Sequence, residues 1–169
     1  MIKVIGAILL IAASAYAGAV AAGGLKKRVK LLEALQIMLA DIERNMRYGA
    51  MPTPQMVEVL TALPALSELE FIIIWHEQLL QGKSPHESLK AALQKNFPSG
   101  LKEQDISPLL IFVQTLGNTD VDGQLPAIEL CKASLVDILT EACETLKTKG
   151  KVYRAIGALT GLTAAILLI

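Results

Sequence analysis

At 169 residues and a formal net charge of zero, the chain fits one domain and carries no basic excess with which to hold nucleic acid. Hydrophobic residues make up 53% and aromatics only 4%, with a mean hydropathy of +0.48, a balance too aliphatic for an ordinary soluble domain and one that predicts membrane contact. Two cysteines outside any CxxC motif exclude a disulfide framework and argue against a zinc or redox centre.

In chain order, the first element is the run Val4 to Leu25, 22 residues without a charge, ended by Lys26, Lys27 and Arg28. A transmembrane helix needs roughly 20 apolar residues, so length and the basic stop predict an uncleaved span. Lys3 and the small-residue sites Ala13-Ser14-Ala15 and Ala15-Tyr16-Ala17 also fit the outline of a cleavable signal peptide, which leaves an exported, soluble helical protein as the alternative. Next, Leu32, Leu35, Leu39, Ile42 and Met46 recur at three- and four-residue steps and predict an amphipathic helix from about Lys27 to Tyr48, stopped by Gly49. Thr53-Pro54 opens a short helix that Pro64 ends. Ser67 to Gln81 predicts another, carrying Leu69, Ile72, Ile73, Trp75, Leu79 and Leu80, with Gly82 as its stop.

Ser84-Pro85-His86-Glu87 is the sharpest local signal: a capping serine, a first-turn proline and a glutamate three residues on mark the start of a helix that reaches about Asn96. Phe97-Pro98-Ser99-Gly100 breaks the chain, and Pro108 to Leu116 predicts a further helix. The stretch LGNTDVDGQL, Leu116 to Leu125, follows as a hinge whose glycines Gly117 and Gly123 stop one helix and restart the next. From about Gln124 a long amphipathic helix carries Ile128, Leu135, Ile138, Leu139 and Leu146. Beyond Lys147, Lys149, Lys151 and Arg154, residues 155–169 carry no charge and, with Val152 and Tyr153, predict a second, marginal span. Basic residues near span ends are retained on the cytoplasmic side, so both clusters predict a cytoplasmic middle with the two termini across the membrane. Small residues at Ser14, Gly18 and Ala22, and the pair Gly157 and Gly161, predict close packing of the two spans.

Chemistry is sparse. His76 and His86 lie on different predicted helices without a partner at triad or HExxH spacing, no Walker or GxGxxG loop occurs, and Asp120-x-Asp122-Gly123 lacks the later ligands of a calcium loop. Neither catalysis, a cofactor nor a metal is expected. Cys131 and Cys143 fall on one predicted helix about 18 Å apart, beyond disulfide reach.

The series IIIWHEQLLQGKSPHESLKAALQKNFPS and PLLIFVQTLGNTDVDGQLPAIELCKASL resembles the cytoplasmic helical module of type II secretion F proteins. Asn118 stands where that module has an acidic residue, and the chain carries one copy of it. Over its whole length the sequence is similar to the stage III sporulation protein AB family: the MIKVIGAILLIAASAYAG start, Tyr48-Gly49-x-x-Pro52, Leu116-Gly117-x-x-Asp120-x-x-x-Gln124 and the apolar carboxyl end carry the likeness. The resemblance implies an all-α protein in which a cytoplasmic bundle of about six helices (26–151) is flanked by transmembrane helices (4–25 and 152–169). It implies a membrane component of the mother cell–forespore channel apparatus of endospore formation, in the outer forespore membrane on the mother-cell side. Its partners would be a secretion-type ATPase, other membrane components of the channel, the lipid bilayer and further copies of itself. Partner contact is assigned to Gly117, Thr119, Asp120, Asp122 and Gln124, and the membrane boundary to Lys26, Lys27, Arg28, Lys151 and Arg154.

Overall fold

The computed structural model of the chain describes residues 2–48, 51–116 and 121–168. Among them every regular element is helical: α1 (Ile2–Tyr48), α2 (Thr53–Thr61), α3 (Phe71–Leu80), α4 (Pro85–Lys95), α5 (Glu103–Val113) and α6 (Val121–Leu168), with a 3-10 turn at Pro64–Leu66. The all-α expectation holds, with six α-helices. The expected first span and the amphipathic segment behind it form one uninterrupted 47-residue helix, and α6 is likewise 48 residues long.

Among the described residues no helix is long and apolar enough to cross a membrane, which withholds support from the flanking transmembrane helices expected at 4–25 and 152–169. In the first run the side chains of Val4, Ile5, Ile8, Leu10 and Ile11 lie outside the described residues.

The chain divides into two compact units. One comprises Lys30–Leu139 and holds most of the core. On α1 the predicted positions Leu32, Leu35, Leu39 and Ile42 are all buried, joined by Leu31 and Met38, while Met46 is half-buried. Each such side chain removed from water contributes about 1.5–3 kcal/mol. Helices α2, α3, α4 and α5 pack in succession, α2 on α3, α3 on α4 and α4 on α5. Trp75 anchors the α3–α4 junction: it is fully buried, and its indole Nε1 donates to the Pro85 carbonyl at 3.1 Å. Gly82 follows α3 with φ of 79°, the left-handed conformation that glycine supplies at a helix end. Ser84 caps α4 as expected, accepting from the Glu87 amide at 3.3 Å.

Two boundaries differ from expectation, each for a stated cause. Helix α3 begins at Phe71 and not at Ser67, because the 3-10 turn that Pro64 opens is followed by turns that occupy the chain up to Glu70. Helix α5 begins at Glu103, placing Pro108 inside it. The buried Asp105 carboxylate fixes that start by accepting the Lys102 amide at 2.9 Å. A proline in a helix forfeits the bond to the carbonyl four residues back, here that of exposed Gln104.

The other unit comprises Met1–Val29 and Thr140–Ile169. At the amino-terminal small-residue positions, Gly18 and Ala22 are buried and Ser14 half-buried, whereas Ala17, Ala19 and Ala21 are exposed. The four-residue spacing therefore marks the inward face of α1 in this unit. The surroundings of Gly157 and Gly161 lie outside the described residues.

Candidate partner-binding surface

Helix α5 forms a ridge between two open clefts of the Lys30–Leu139 unit. On the α4 side a cleft of about 660 Å³ is lined by Leu93, Phe97, Ile106 and Leu110, with Lys90 and Glu103 at its polar margin. On the α6 side a cleft of about 330 Å³ is lined by Pro108, Ile111, Phe112, Leu130 and Cys131. Gln104 and Ser107 border both. Ile111 is 62% exposed, Leu130 68% and Phe97 40%, so the ridge and its flanks offer apolar side chains to water where an ordinary solvated face would carry charge. Such a surface suits contact with another protein.

Behind the α6 cleft, charged groups brace α1 against α6. Lys132 and Arg47 both pair with Glu43, and Arg47 also meets Glu129 at 2.8 Å. The hydrogen bond from Lys132, reinforced by that from Arg47, holds the Glu43 carboxyl below its usual range. Asp41, buried on the same helix, is met by Arg44 and by the Asn45 side-chain amide at 3.2 Å. The i,i+4 spacing of Glu43 and Arg47 was a legible signal for part of this brace; its partners on α6, 82 and 89 residues away, had none.

Residues that could carry bond-making chemistry are apart. His86 lies 3.4 Å from the Gln114 amide nitrogen, at a ring nitrogen whose role depends on tautomer, and no clustered group of three His, Cys, Asp or Glu suited to a metal occurs among the described residues. Both cysteines are free. Burial pushes the Cys131 thiol up to about 12, which removes it as a nucleophile near neutral pH.

The sequence model of stage III sporulation protein AB matches residues 3–169. The chain belongs to the stage III sporulation protein AB family. A solved structure, "Stage III sporulation protein AB (SpoIIIAB)", is similar over 72% of this chain and 97% of its own, with a TM-score of 0.63 and 22% sequence identity, a likeness in fold. No curated protein matches the sequence.

In this AB-family chain the hinge positions Gly117, Thr119 and Asp120 lie outside the described residues. Helix α6 already begins at Val121, three residues before the expected start, so Asp122 and Gln124 occupy its first turn, Gln124 half-buried. The exposed apolar residues of the α5 ridge were missed as a site. Their helical spacing reads as ordinary core, and only packing reveals which of them face water. Of the residues assigned to the membrane boundary, Lys26, Lys27 and Lys151 are exposed, Arg28 is buried, and the Arg154 side chain lies outside the described residues.

Proposed function

We propose that this AB-family protein is a non-enzymatic, membrane-anchored assembly component of the mother cell–forespore channel, with its helical middle in the mother-cell cytoplasm as a platform for a secretion-type ATPase. The observation that carries the sporulation role is the family match across residues 3–169. The platform reading is supported by the exposed apolar ridge of α5 and by Asp122 and Gln124 in the first turn of α6; Gly117, Thr119 and Asp120, proposed to join them in polar contact with the partner, lie outside the described residues. Anchoring rests on the uncharged runs at 4–25 and 155–169 and on the basic residues that adjoin them.

A strain carrying a Ser99→Cys reporter, at an exposed loop position, tests the topology. Protection from a membrane-impermeant maleimide until permeabilisation is expected. Labelling in intact cells, together with a mature mass lacking the amino-terminal segment, would replace the anchored reading with the exported one. Affinity capture from detergent-solubilised sporulating cells tests the platform: Ile111→Asp with Asp120→Ala is expected to lose the ATPase while keeping the wild-type melting temperature to within a few degrees. Undiminished capture would leave these residues a structural role.

A further inference from the structure

In the unit formed by Met1–Val29 and Thr140–Ile169, a cleft of about 610 Å³ opens between α1 and α6. Its floor is small and apolar, made by Ala19, Ala22 and Gly23 with Leu146. Three lysines complete the lining: Lys26 from α1, and Lys147 and Lys151 from α6. The α6 pair stands four residues apart and so shares one helix face. No lining residue is acidic.

Elsewhere several cations are compensated. Lys30 meets Glu68, Arg44 meets Asp41, Arg47 meets Glu43 and Glu129, and Lys132 meets Glu43. Among the described residues no carboxylate comes within ion-pair distance of Lys26, Lys147 or Lys151. Like charges brought to one cleft repel unless an anion joins them, and an ammonium group recognises phosphate as a point charge with three donors. At Gly23 the floor faces open space, since a Cβ built there meets no atom within 4 Å.

We propose that this cleft binds a phosphate-bearing anion. Its floor of small apolar residues has room for the first carbons of an acyl glycerol, and the uncharged run ending at Leu25 leads directly into Lys26. An anionic lipid headgroup is therefore the favoured source over free phosphate. That choice of source rests on the anchored reading; the phosphate site itself does not.

The test uses the full chain in a neutral maltoside detergent, read by native mass spectrometry with phosphatidylglycerol and phosphatidylcholine at equal concentration, and with inorganic phosphate in a separate arm. Phosphatidylglycerol adducts are expected to outlast phosphatidylcholine adducts, and each lysine neutralised should weaken retention about fivefold. Lys147→Gln with Lys151→Gln should thus cost about 25-fold, while Lys149→Gln, an exposed lysine outside the cleft, should change nothing. Gly23→Leu, which fills the floor and keeps every charge, should also lose the lipid. Saturable binding of inorganic phosphate that depends on the same lysines, without lipid selectivity, supports the site and assigns its source to free phosphate. Equal retention of the two lipids with no phosphate binding, or lipid retention indifferent to Lys147, Lys151 and Gly23, overturns the proposal. Because headgroup selectivity is measured in detergent, its failure is separable from a failure of the topology found by maleimide labelling.

Discussion

Trp75 shows how much one side chain can hold. Its ring fills the space between α3 and α4 while its nitrogen satisfies the carbonyl of Pro85. Trp75→Phe keeps most of the apolar contact and removes the donor, with an expected loss of about 1–3 kcal/mol in urea unfolding; Trp75→Ala should cost about 3–5 kcal/mol. The cysteines give a chemical contrast. With Cys131 buried and its thiol pushed up to about 12, and Cys143 half-buried, timed alkylation of the folded protein near neutral pH should modify Cys143 first. Cys131 should react only as the protein opens.

At the scale of elements, two glycines predict opposite signs. Gly82 has positive φ and empty space where a Cβ would sit, so Gly82→Ala meets only backbone strain and should destabilise by about 1 kcal/mol. Gly24 lies within α1 with equally open space, and Gly24→Ala should raise stability by about 0.5–1 kcal/mol by favouring the helix. Thermal unfolding of both variants checks the pair. The brace between α1 and α6 adds a pH signature. Glu43 titrates lower when folded than its ordinary 4.5, through Lys132 first and Arg47 second. Its contribution is therefore present above about pH 4.5 and is lost as pH falls through the lowered folded value. Glu43→Gln should flatten the melting-temperature profile in that acid range.

These elements also show what the sequence made legible. Ser84-Pro85-His86-Glu87 and Gly82 were readable because a cap and a positive-φ stop are local chemistry. The start of α5 was not, because Pro108 is a conspicuous opening signal and Asp105, whose carboxylate sets the true start, looks like any surface acid until its burial is known. The basic cleft was half legible: Lys26 and Lys151 were assigned to a boundary, but their meeting with Lys147 needs a helix pairing across more than a hundred residues. Ile111 and Leu130 belong to the same class, since periodicity places a residue on a face and tertiary packing decides whether that face is covered.

For the molecule as a whole, the two compact units and the position of the lone tryptophan have a spectroscopic consequence. Trp75 belongs to the Lys30–Leu139 unit, and the other unit has none. Tryptophan emission during denaturation is therefore a private signal of one unit, whereas far-ultraviolet circular dichroism sums the helices of both. If the units melt independently, the two optical curves separate, and the gap between their midpoints measures how weakly one half of the chain senses the loss of the other. Coincident curves would make the protein a single cooperative body, so that a ligand seated among Lys26, Lys147 and Lys151 would raise the midpoint recorded by an indole that never touches it.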